Sequence, residues 1–183
     1  MKGFSRAETR FSLCGLNCIL CPMQVGGYCP GCGGGAGNQS CAIARCSLEQ
    51  GGFRFCSDCA LYPCSRYDAF DAADSFVPHS RRAADLARAQ EMGMDAWIAE
   101  LQQRRAILDK LLANWNDGRR KSLYCAAAYL LEPEALCRVM EALTARSDTA
   151  DASAKEKAQV AAALLQEEAS RAGISLKLNK KKM

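Results

Sequence analysis

Ten of the chain's twelve cysteines fall within residues 14–64, as Cys14, Cys18, Cys21, Cys29, Cys32, Cys41, Cys46, Cys56, Cys59 and Cys64. Three of the spacings are C-x-x-C: Cys18-Ile-Leu-Cys21, Cys29-Pro-Gly-Cys32 and Cys56-Ser-Asp-Cys59. Such a turn points two sulfurs and several backbone N–H groups at one place, as a tetrahedral thiolate site requires. The same stretch is rich in glycine (Gly26-Gly27, Gly31, Gly33-Gly34-Gly35, Gly51-Gly52) and poor in large apolar residues. It has little capacity for regular structure, so bound metal is expected to supply much of its folding energy.

The first eight residues contain no apolar core of signal-peptide length, and no later run approaches the roughly 20 apolar residues of a membrane span. A cytoplasmic protein without a membrane partner is expected. In a reducing compartment clustered cysteines point to metal rather than to disulfides. The net charge of +4 resides largely in Arg119-Arg120-Lys121 and Lys180-Lys181-Lys182, which does not call for nucleic acid as a partner.

Ten thiols exceed two four-coordinate sites and fall short of three. Two sites would leave two cysteines over; three could recruit His79, Cys125 or Cys137; a bridged cluster could share thiolates between zincs. One grouping puts Cys29, Cys32, Cys41 and Cys46 on one metal and divides the other six. The cofactor expectation is zinc, two or three ions, with [4Fe-4S] as the alternative, since short-spaced cysteines hold both. Cys14-x-x-x-Cys18-x-x-Cys21 also has the spacing of radical S-adenosylmethionine enzymes. Their α/β barrel needs roughly 200 residues of alternating strands and helices, and the sequence past residue 80 does not alternate in that way. Residues 33–37 read as a flexible loop, not a phosphate cradle, because no Lys-Ser/Thr follows.

A short helix fits residues 41–46, and Phe11 and Leu13 suggest a brief strand. From residue 80 glycine thins out and helix formers take over. Ser80 and Gly93 bracket a first helix, and Asp95 caps a second with an apolar stripe of Trp97, Leu101, Leu108, Leu111, Leu112 and Trp115. Asn116-Asp117-Gly118 stops it. A third helix covers about 122–131, Pro133 opens a fourth, and a fifth covers about 154–172 and ends at Gly173. The alternation in residues 174–178 suggests an edge strand. The expected fold class is mostly α. A small, irregular, metal-stabilised, zinc-knuckle-like module (1–79) is expected to pack on an α-helical region (80–183), either as a separate part or as one continuous domain with it.

Away from the module, His79 reads first as a structural residue behind Pro78 and second as an extra ligand. Cys125 and Cys137 read as core residues, Cys125 with a secondary claim as a ligand. Arg81, Arg82 and Arg88 read as a solvated face. Asn116, Arg119, Arg120, Lys121 and Ser122 form a cationic turn at a helix start, a candidate anion site if Ser122 caps that helix; Tyr124 and Tyr129 would line it or pack behind it.

The string Cys14-Gly-Leu-Asn-Cys18-Ile-Leu-Cys21-Pro22 resembles the opening of the bacterial and archaeal family catalogued as domain of unknown function 3795. Cys29-Pro-Gly-Cys32, Phe55-Cys56-Ser-Asp-Cys59-Ala-Leu-Tyr-Pro63-Cys64, Asn116-Asp117-Gly118-Arg119 with Lys121-Ser122, and the Gly173-Ile-Ser-Leu-Lys-Leu ending extend the resemblance over nearly the whole chain. It implies a cysteine-rich, zinc-binding module followed by helices, and no settled activity. The expected function is that of a zinc-binding binding or scaffold protein whose partner is an unknown protein or small anion. The alternatives are an iron–sulfur electron-transfer protein and an enzyme holding an anionic substrate near Arg119. No Ser-His-Asp or Cys-His set can be assembled from the sequence.

Overall fold

The computed structural model describes residues 3–35, 41–146 and 151–180; it is mostly helical and contains no strand among them. The chain divides into two compact units, residues 1–101 with 179–183, and residues 102–178. Composition changes at residue 80, but the division of contacts falls at residue 101, inside a helix.

In the first unit the lead-in segment organises the cysteine turns. The Cys32 N–H donates to the Thr9 carbonyl (3.2 Å), the Ile19 N–H to Arg10 (2.9 Å) and the Cys56 N–H to Leu13 (2.9 Å). The segment's carbonyls thus receive all three C-x-x-C turns, which is why residues 11–13 pair with no strand. A 3-10 turn (Cys18–Leu20) is followed by α1 (Pro22–Val25) and α2 (Ala42–Glu49). Three more 3-10 turns, Cys56–Asp58, Ser65–Tyr67 and Phe70–Ala72, lead to α3 (Arg82–Met92), which Gly93 ends at φ 85°. The Phe11 ring packs on Phe55 (5.6 Å between centroids) and edge-on to Trp97 (5.7 Å).

The C-G-L-N-C loop is fastened to α3. Gly15 has φ +95°, and a Cβ placed there would lie 2.3 Å from the Arg82 carbonyl oxygen, so only glycine fits. Two residues on, Asn17 donates to the buried Asp85 carboxylate (2.8 Å).

Helix α4 (Met94–Asn114) includes the division point. The second unit continues with α5 (Lys121–Leu130), α6 (Pro133–Thr144) and α7 (Ala154–Arg171). Pro133 sits in the first turn of α6, and Ser153 caps α7 through a reciprocal pair with Glu156. On α6 Leu136, Val139 and Leu143 are buried. Helical spacing puts Cys137 off that stripe and exposed, so it is not the core residue expected, whereas Cys125 is buried on α5. The expected edge strand at 174–178 does not form: the Ile174 N–H folds back on the Ala169 carbonyl (2.8 Å) across Gly173 at φ 67°, a helix-ending turn. In the first unit Asn179 exchanges bonds with Asp74, the Asp74 N–H to the Asn179 carbonyl (2.7 Å) and the Asn179 N–H to the Asp74 carboxylate (2.6 Å). No described helix is long and apolar enough to cross a membrane.

A candidate thiol-rich metal centre

Two C-x-x-C turns share one backbone form. Cys21 N–H donates to the Cys18 carbonyl (3.0 Å) and Cys59 N–H to the Cys56 carbonyl (3.1 Å). N–H groups also turn toward sulfur: those of Met23 and Gln24 toward Cys21, Leu16 toward Cys14, and Cys32 toward Cys18. Such donors favour thiolate, and a thiolate is the ligating form. No disulfide joins the described cysteines.

The thiols of the first two C-x-x-C turns act on one another: Cys14, Cys21 and Cys32 on Cys18, and Cys29 on Cys21. Burial, with Cys32 and Cys41 adding, pushes the Cys14 thiol up to about 12, and burial raises Cys18 further. Cys46, Cys56, Cys59 and Cys64 border one cavity of about 30 Å³. Cys46 thus borders the same cavity as the third C-x-x-C turn, while Cys41 is exposed, near both Cys14 and Cys56. Among the described residues no three His, Cys, Asp or Glu side chains are already drawn together closely enough to hold a metal ion.

Tyr67 also borders this cavity. Its side chain is 8% exposed, and its hydroxyl finds no nitrogen or oxygen partner but lies against the Cys56 thiol. Burial first, then that thiol, raises the tyrosine pKa; burial pushes Cys56 up to about 11. Tyr67 is held edge-on by Tyr62 (5.3 Å) and Phe70 (5.4 Å), with the Arg82 guanidinium 4.0 Å from its ring centroid. Arg82 itself grips Asp71 with two hydrogen bonds (2.6 and 2.8 Å) and donates to the Tyr62 hydroxyl (3.2 Å). At 4% exposure Arg82 is no part of a solvated face; the ring faces and the Asp71 carboxylate replace its water.

The His79 ring is engaged on both sides. Nδ1 lies 2.9 Å from the Phe70 carbonyl, which only accepts, so Nδ1 carries the proton. Nε2 then accepts, from the Ser75 N–H (3.2 Å) and from the Ser75 hydroxyl at 2.9 Å. Both nitrogens are engaged, and the ring stacks on Phe70 at 4.7 Å.

The Asn-Asp-Gly-Arg turn satisfies itself. Asn116 Oδ1 accepts from the N–H groups of Gly118 (3.1 Å) and Arg120 (3.4 Å), and Asp117 Oδ1 from Arg119 (2.9 Å). The Asp117 carboxylate also pairs with Arg120 at 3.7 Å. Helix α5 starts at Lys121 without a side-chain cap, so Ser122 lies inside the helix and not at its cap. Asp117 stands where an anion was expected, next to the cations. Behind the turn Tyr124 is buried, and its hydroxyl lies within bonding distance of the Trp115 and Ala158 carbonyls.

Sequence reasoning missed Tyr67, Arg82 and Asn17. The signal available for the first two was the aromatic run Tyr62, Tyr67, Phe70, which needs a buried partner for its polar tips. No protein-family model matches the chain, and neither a curated protein nor a solved structure matches it.

Proposed function

We propose that residues 14–64 form a structural zinc module of two or three ions, and that the protein serves as a binding or scaffold protein. The reading rests chiefly on the cavity bordered by Cys46, Cys56, Cys59 and Cys64 with the Tyr67 hydroxyl beside Cys56. Four thiols are the soft donor set that closed zinc sites use. A buried hydroxyl without an acceptor costs about 1–3 kcal/mol; a metal-bound thiolate at Cys56 would be that acceptor, an outer contact of the kind that orients ligands. The thiols would have to close in around the ion, and each raised pKa means a proton leaves as metal enters.

Zinc is preferred to iron–sulfur because closed sites of four thiols carried on C-x-x-C turns are its usual structural setting. The engaged ring of His79 supports binding over catalysis, because the chain's sole imidazole is committed to holding the 70–79 segment.

Chelator titration followed by circular dichroism and thiol counting tests the reading. Removal of metal is expected to expose the cysteines of 14–64 and to leave most helical signal from α4–α7. The double variant C56S/C59S should lose one zinc relative to C125S, which should lose none. A module whose thiols stay equally protected without metal would overturn the proposal.

A further inference from the structure

Asn179 belongs to the first unit, whereas residues 102–178 before it belong to the second. It makes three hydrogen bonds to the segment that leads from the cysteine turns to α3. The Asp74 N–H donates to the Asn179 carbonyl (2.7 Å), and the Asn179 N–H donates to the Asp74 carboxylate (2.6 Å). The Asn179 side-chain amide donates to the Ala72 carbonyl (2.9 Å). Two of these bonds grip Asp74 in opposite directions, so the joint fixes orientation as well as position.

The segment depends on such ties. No residue of 71–76 is buried, and Phe76 is 54% exposed. With so little apolar burial, polar contacts set its place. His79 supplies some of them: its N–H donates to one oxygen of Asp74 (2.8 Å), while Asn179 takes the other. What the segment carries matters for the thiols. Phe70 stands edge-on to Tyr67 and packs against the buried cluster that contains it. Asp71 holds Arg82, whose guanidinium lies over the Tyr67 ring. Tyr67 in turn borders the cavity of Cys46, Cys56, Cys59 and Cys64, with its hydroxyl against Cys56. A continuous series of contacts within one unit thus leads from Asn179 to the thiols.

We propose that Asn179 is the clasp of a strap that keeps Tyr67 over this cavity and so governs how readily its thiols are reached. Opening the clasp frees residues 70–79, withdraws support from Phe70 and Asp71, and lets Tyr67 move off Cys56. Both bonds that Asn179 donates are exposed, so water replaces them at small cost, and opening is far easier than unfolding the unit. Where the thiols hold zinc, the same opening sets how fast the ion leaves. That consequence rests on the zinc reading above, whereas the shielding of the thiols does not.

The test is pulse alkylation of the purified full chain with N-ethylmaleimide, read thiol by thiol by peptide mass spectrometry. Asn179→Pro removes both groups that Asn179 donates and lies far along the chain from residues 70–79, so circular dichroism is expected to be unchanged. Alkylation of Cys56 and Cys64 should quicken by about 10-fold, the order expected from losing two exposed hydrogen bonds. Cys21 and Cys29 should keep their rates and serve as internal references. Asp74→Ala, which cuts the carboxylate from both His79 and Asn179, should act in the same direction, and Lys180→Ala should have no effect. Transfer of bound zinc to a chelator should quicken by the same factor. An unchanged rate at Cys56 in both Asn179→Pro and Asp74→Ala would overturn the strap, as would equal acceleration at Cys21 and Cys29, which marks general loosening. Protein that purifies without metal yet shows the 10-fold difference would remove the zinc reading and support the strap; zinc-loaded protein without the difference would do the reverse.

Discussion

Gly15→Ala is the sharpest probe of how the cysteine loop is fastened to α3. Two costs are separable. At φ +95° any L side chain is strained, by about 1–2 kcal/mol. The new Cβ would also lie 2.3 Å from the Arg82 carbonyl oxygen and 2.8 Å from Leu86 Cγ, and the first of these is backbone that cannot swing away. Forcing a methyl into packed surroundings costs a further ~1–3 kcal/mol. Gly27→Ala serves as the control, because Gly27 has φ +74° but nothing within 4 Å of its would-be Cβ. Thermal melts in a Trp115→Phe background make emission report on Trp97, which packs on Phe11 in the same unit. Each 1 kcal/mol moves the midpoint by about 2–4 °C in a chain of this size. Gly15→Ala is expected to lower it by about 4–20 °C and Gly27→Ala by about 2–8 °C, the clash adding to the shared φ cost. Equal shifts would refute the close approach of Gly15 to α3.

Arg82→Ala removes a buried cation from over Tyr67 and from Asp71; because Asp71 is 42% exposed and keeps its water, the loss should be about 2 kcal/mol by urea denaturation, with Arg82→Lys in between. Glu168 is held below the ordinary glutamate value of 4.5 by its bond from Arg138, with Arg171 adding. A lowered folded pKa gives stability that is present above 4.5 and lost as pH falls through the folded value, so Glu168→Gln should be less stable at pH 7 and lose less stability on acidification. His79→Gln should leave metal content unchanged while lowering stability, as elemental analysis and melting would record; a lost metal equivalent would reopen its role as a ligand.

Local chemistry made the helices legible. Gly93, Pro133 and Gly173 each act within a few residues, and each marks an end where the structure has one. The alternation of residues 174–178 misled because a period-2 pattern forms a strand only where another edge is offered. Pairing across space was not legible. Nothing in the spacing of Cys46 says that it will face Cys56, Cys59 and Cys64, because that is decided by where the lead-in carbonyls of Thr9, Arg10 and Leu13 dock the three turns. Arg82 looked like surface because charge usually is; its burial depends on rings contributed from residues 62–70.

The most direct test of the metal module is elemental analysis with a visible spectrum on protein purified without oxygen. The account predicts two or three zincs per chain, no colour, and loss of one zinc in C56S/C59S. Iron with matching acid-labile sulfide and a brown solution, or metal-free protein whose thiols remain as protected as before, would contradict it.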